Sequence, residues 1–145
     1  DTVANDTAVR EAAIFGQHGH QVNVTDGRHV YMRAPTREDN QPLNDYTLMP
    51  THMRNSFSPD ELRDNIELAE PFSFTKGCQT MKIANRGRSG IYKYGTLLFD
   101  LESDAGQLTP LEDSAVEARM EGHMTRLMRE CDAPAEQFER LGIEE

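Results

Sequence analysis

Residues 20–30, HQVNVTDGRHV, hold the clearest local signal in the chain. Polar and apolar residues alternate on both sides of an Asp-Gly pair, the pattern of a β-hairpin. The length of its turn decides which side chains reach a core. A two-residue turn at Asp26-Gly27 sets Val24 opposite His29 and Asn23 opposite Val30, mixing polar and apolar residues on both faces. A three-residue turn, Thr25-Asp26-Gly27 with Gly27 left-handed in a bulge, pairs Val22 with Val30 instead. That register gathers Val22, Val24, Val30 and Met32 on one face, and it is the one expected.

The same region carries His18, His20 and His29. The bulged register puts His20 on the Val22 face and His29 on the other, and Gly19 interrupts any strand joining His18 to His20. A metal needs three or four ligands converging on one point. Histidines divided between two faces do not supply them. They are read as structural or surface residues, with His18 or His20 available for a polar contact to a ligand.

Working outward, EAAIFGQ (11–17) reads as a short buried strand, and residues 1–10 as a polar lead-in segment. Residues 35–57 form a long loop containing one extended segment, DYTLM; loops of that length inside compact domains are often functional. SPDELRDNIELA (58–69) opens a short helix with a capping box: Ser58 at the N-cap, Pro59 first in the helix, Glu61 reaching back. QTMKIA (79–84) is a strand and NRGRSG (85–90) a turn with two solvated arginines. IYKYGTLLFDLE (91–102) returns as a strand, with Ile91, Leu97, Phe99 and Leu101 on one face.

The last third is helical. Ser114 with Glu117 makes a second capping box, and Val116, Met120, Met124, Leu127, Met128 and Cys131 recur at helical spacing as a stripe for the sheet. PAEQFERLGIEE is a final short helix closed by Gly142. The expected fold is therefore α+β: a small antiparallel sheet of about four strands packed against a long C-terminal helix, one domain over residues 1–145.

Composition bounds the function. The 15 Lys and Arg stand against 25 Asp and Glu, a net charge of -10, which argues against nucleic acid as a partner because phosphate contacts need a basic surface. No run approaches the roughly 20 apolar residues that span a bilayer, so no membrane is expected. The first residue is Asp1 and not Met, and the true N-terminus is expected to be missing. Cys78 and Cys131 fit no metal or redox spacing and are read as small core residues. Nucleophile elbows, phosphate-binding glycine loops and His-Glu-x-x-His are not found. His52 and Arg54 share a polar loop, PTHMRN, which by itself defines no enzyme.

LFDLESDAGQ (98–107) resembles the closing signature of the sulfatases of the alkaline-phosphatase superfamily, roughly Leu-Tyr-Asp-Leu-x-x-Asp-Pro-x-Glu. Leu98, Asp100, Leu101 and Asp104 match; Phe99 replaces tyrosine, Ala105 proline and Gln107 glutamate. AIFGQHGHQVNVTDGRHVYMRAP, YTLMPTHMR and EPFSFTKG are similar to the C-terminal region of a group of bacterial sulfatases, so the likeness runs from about Arg10 to about Gly142. It departs at His20-Gln21, where a glycine followed by histidine is more usual.

The resemblance implies that the chain is the C-terminal subdomain of such an enzyme, inactive alone. Its partner would be a large N-terminal domain carrying a formylglycine nucleophile and a divalent cation, usually calcium. The substrate of the whole would be a sulfated small molecule or glycan. No cofactor falls on this chain, because neither cysteine lies in the Cys/Ser-x-Pro-x-Arg motif that yields formylglycine. His18, His20 and His52 are the residues expected nearest the substrate cleft, since an imidazole can donate hydrogen bonds to a sulfate ester. The parent could equally act on phosphodiesters or phosphonate monoesters. A stand-alone interaction module is the competing reading. A fragment should expose apolar residues around YTLM and FSF, with a homo-oligomer forming through them, whereas a stand-alone module should not.

Overall fold

The computed structural model describes all residues except 1, 6, 7, 50, 53, 64, 65, 86–89 and 145. Among the described residues, seven strands fall into two antiparallel sheets. The larger contains β1 (Ala13–Gly16), β2 (Val22–Thr25), β3 (His29–Arg33) and β7 (Leu97–Asp100) in the order β1-β2-β3-β7. The smaller contains β4 (Asn44–Thr47), β5 (Ile66–Ala69) and β6 (Thr80–Ala84), with β6 in the middle. The α-helices among the described residues are α1 (Thr2–Asn5), α2 (Pro59–Leu62), α3 (Ser114–Glu130) and α4 (Ala135–Leu141). The α+β class and the long C-terminal helix are as expected. The second sheet is not.

The hairpin forms, but in a different register. Val22 pairs with Arg33, Val24 with Tyr31 and Thr25 with Val30, so Asp26, Gly27, Arg28 and His29 lie beyond the last of these pairs. The cause is the Asp26 side chain. Its Oδ1 accepts from the amides of Arg28 at 3.0 Å and His29 at 2.6 Å, drawing both residues into the turn. The expected partner is displaced by three residues, and an odd shift turns every side chain of β3 over. Tyr31 therefore joins Val24 against the helix, while Val30 and Met32 point to the opposite face beside Phe99 and Leu97. His29, expected away from Val22, lies on the helix side with its Nδ1 3.2 Å from Arg119 of α3.

Helix α3 covers this face. Met120, Met124 and Met128 are buried and meet Val24, Tyr31 and Leu98, while Val116 and Leu127 pack around them. The N-cap is Asp113, not Ser114: its extended backbone lets Oδ1 accept from the amides of Ala115 and Val116, and its charge suits the helix dipole. Cys131 does not continue the stripe. As the residue that ends α3 it leaves helical geometry and is exposed, as is Cys78 in a turn, so neither is a core residue. Gly142 closes α4 as expected, at φ 62°, and a Cβ there would sit 2.5 Å from Thr36 Cγ2.

The capping box at Ser58 and Glu61 is present, but α2 is one turn long. IELA, expected within that helix, is instead β5, because Ile66 and Leu68 find strand partners in Ile83 and Met81. DYTLM contributes β4 through Asp45, Tyr46 and Thr47. Of IYKYGTLLFDLE only the second half is strand; Tyr92–Tyr94 form a 3-10 turn. NRGRSG falls mostly outside the described residues.

Candidate functional site

The turn between β1 and β2 carries Gln17, His18, Gly19 and His20. The His20 amide donates to the Gln17 carbonyl at 3.0 Å, and Gly19 adopts φ 74°, a left-handed conformation that glycine takes without strain. Two buried polar side chains support it from beneath. Asn40 donates to the Gly19 carbonyl at 2.7 Å, and Arg140 donates to the His20 carbonyl at 3.2 Å and to Asn40 Oδ1 at 2.8 Å.

So held, His18 reaches across to the smaller sheet, where its Nε2 lies 2.8 Å from Asp45 Oδ1. The other Asp45 oxygen accepts from Asn85 Nδ2 at 2.8 Å. The hydrogen bond with His18 lowers the Asp45 carboxyl below its ordinary range; partial burial opposes this, and Asn85 and the nearby His52 add to it. His52 is fixed in turn by Glu61, Nε2 to Oε1 at 2.7 Å, and by the ring of Phe57 at 4.2 Å between centroids. Glu61 spends its second oxygen on the Ser58 amide at 2.7 Å. That bond first, and His52 second, hold its carboxyl at about 2.

His18 and His52 thus line one cleft of about 300 Å³, with Gln17, Gly19, Leu43, Asp45 and Asn85 completing its walls. Asp45 and His52 continue into an adjoining hollow with Phe57, Ser58 and Glu61. Each imidazole has one nitrogen on a carboxylate, which fixes the ring and leaves the second nitrogen for a ligand. The arrangement can donate or accept hydrogen bonds at two points and move a proton. Among the described residues no group of three or more His, Cys, Asp or Glu is placed to hold an ion.

Of the three histidines singled out from sequence, two meet here. His20 is not among the cleft's lining residues; its place is in the supporting turn, half-buried. Arg54 is exposed and also outside the lining. Sequence reasoning missed Asp45, Asn85 and the pairing role of Glu61. Glu61 was visible only as a cap, and no spacing relates residue 18 to residue 45 before the two sheets are brought together.

A second polar cluster lies on the far side of the larger sheet's helix face. Asp26 Oδ2 accepts from Arg119 Nη1 at 2.6 Å and lies 3.2 Å from His29 Nδ1. Burial pushes the Asp26 carboxyl up, but the hydrogen bonds from the His29 amide, Arg119 and the Arg28 amide outweigh it and hold it well below the ordinary range. This cluster ties the hairpin turn to α3.

The fold and the cleft define an α+β domain of two antiparallel sheets with a histidine–carboxylate cleft between them. No protein-family model, curated protein or solved structure matches the chain. No helix among the described residues is long and apolar enough to cross a membrane.

Proposed function

We propose that the chain is the C-terminal subdomain of a sulfatase, supporting a large catalytic domain and turning His18 and His52 toward a bound sulfate ester. The observation that carries this reading is the convergence of those two histidines, each oriented by a carboxylate, on one cleft. The signature residues support it by having definite tasks in the fold. Asp100 binds Arg28 through paired contacts of 3.1 and 2.8 Å, and Asp104 accepts from the amides of Leu108 and Thr109, closing the turn after β7.

The smaller sheet adds a second support. Leu68 is 69% exposed and Phe74 71%, with Leu48 and Met49 also open to solvent. Leu48, Met49 and Phe74 belong to the YTLM and FSF stretches in which a subdomain separated from its partner should expose apolar surface, and Leu68 adds a further exposed residue outside them. A stand-alone module gains nothing from leaving them bare. The formylglycine and its cation are assigned to the proposed partner domain, since neither cysteine of this chain lies in the formylglycine motif. What this chain's residues do is bind and orient: two neutral or protonated imidazoles donating to ester oxygens.

The test is the intact mass and peptide map of the native gene product. A much larger protein with a formylglycine peptide upstream of Asp1 is expected. A native protein of this size alone would overturn the reading. Within the larger protein, His18→Ala and His52→Ala should each lower kcat/KM for a sulfate ester by about ten- to a hundredfold, the worth of a hydrogen bond to a charged group. His20→Ala should do less.

A further inference from the structure

We propose that the cavity at the β1 edge of the larger sheet is a binding site for a small organic anion, with Arg140 as its counter-charge. Arg140 is 1% exposed. Its Nε donates to Gln137 Oε1 at 3.0 Å, and its Nη1 to Asn40 Oδ1 and the His20 carbonyl. Every one of these acceptors is neutral. Arg28, Arg33, Arg37, Arg119 and Arg126 each have a carboxylate partner, whereas the most buried of the arginines has none among the described residues. Burial alone perturbs it, pulling its pKa down to about 10, and no neighbouring charge offsets the effect.

A guanidinium withdrawn from water without a counter-ion is costly unless something supplies the missing charge. The chain has 25 carboxylates and a net charge of -10, yet places amides at both positions nearest Arg140. Glutamate at 137 or aspartate at 40 would neutralise it with almost no change of shape. Beyond its support of the 17–20 turn, an unpaired charge beside an open space gives an anion a place to bind.

That space is present. Arg140 and Gln137 line an open cavity of about 300 Å³ together with Ile14, Phe15, His18 and Val22. A cation in a cavity with apolar lining suits a ligand with an anionic head, carboxylate or sulfonate, and an apolar body. With Nε and Nη1 already engaged, the head would be held through Nη2 and the positive charge, which suits a carboxylate or sulfonate oxygen. The cavity shares Gln17, His18 and Gly19 with the histidine cleft, but Arg140 and Gln137 line this cavity alone, so variants at Gln137 test it apart from the sulfatase reading.

The test follows the Nε–H resonance of Arg140 and the Gly16 amide by NMR while benzenesulfonate, benzoate and neutral benzenesulfonamide are added to the 145-residue chain. Saturable shifts with both anions, and affinity at least tenfold weaker for the sulfonamide, are expected. Gln137→Glu places a carboxylate on Arg140 Nε and should abolish binding while the fold persists. Phe15→Asp, at a position 47% exposed, should weaken it at least tenfold by charge repulsion, without touching the core. Equal binding of the neutral compound, no saturable shift, or full binding by Gln137→Glu would each overturn the proposal.

Discussion

The two sheets are built from the same kind of ladder and are held together by different means. The larger is a run of hairpin neighbours, β1-β2-β3, closed by β7, with Val24, Tyr31 and Leu98 sealed beneath the methionines of α3. The smaller takes β4, β5 and β6 from separate stretches, and β5 is exposed along most of its length. A three-stranded ladder needs a packed face to be stable, since its net hydrogen-bond gain is small. One sheet is stabilised by burial and the other leans on it. The candidate cleft spans the join, with His18 from the stronger half and Asp45 from the weaker.

The largest expected effect tests that contrast directly. Met124 is fully buried, and Met124→Ala should cost about 2–5 kcal/mol of unfolding free energy through lost burial and the cavity left behind. Leu68→Ala, on the exposed strand, should stay within about 0.5 kcal/mol. Urea melts of the two variants decide the matter. A comparable loss at Leu68 would mean that the smaller sheet is covered in solution, by a second copy or another part of the protein.

The next effect concerns the turn that set the register. Asp26→Ala removes acceptors from two amides and from Arg119, and should cost about 1–3 kcal/mol. The sign of its pH dependence follows from the depressed carboxyl. Its contribution is complete above the unfolded pKa near about 4 and is lost as the pH falls through the lower folded value. Acid unfolding of Asp26→Ala should therefore begin from lower stability and show a shallower dependence below about pH 4. An unchanged acid limb would break the account of why β3 pairs three residues off.

That turn also marks where sequence reading reaches its limit. The existence of β1, β2, β3 and β6, the methionine stripe and the closing Gly142 all follow from period and local chemistry. The register did not, because it depended on an aspartate side chain capturing two amides rather than on the hydrophobic pattern. β5 was hidden for a related reason: IELA continues a helical run locally and becomes a strand only when β6 is beside it. The cleft was half legible. His18 and His52 stood out as polar residues in loops, whereas their carboxylate partners sat in a strand and a cap that already accounted for them.

A smaller effect separates the two candidate caps of α3. Asp113→Ala should cost about 1 kcal/mol, the usual worth of an N-cap, and Ser114→Ala close to nothing. Thermal melts of both variants would show the larger shift at Asp113. The reverse order would restore the box at Ser114 and move the start of the helix by one residue.

The smallest effect lies in the weaker half and is local rather than global. Glu61 holds the Ser58 amide and His52 together, and its carboxyl at about 2 is well below the ordinary 4.5. Since the folded value is the lower one, the link is intact above about pH 4.5 and is lost as the pH falls toward 2. The Glu61 carboxyl carbon and the Ser58 amide should then titrate together by NMR with a midpoint near 2, and Glu61→Gln should leave the Ser58 amide flat. A midpoint near the ordinary value would mean that the carboxylate is not engaged. His52 would then have only the ring of Phe57 to hold it at the cleft, and its imidazole would no longer be oriented by a carboxylate.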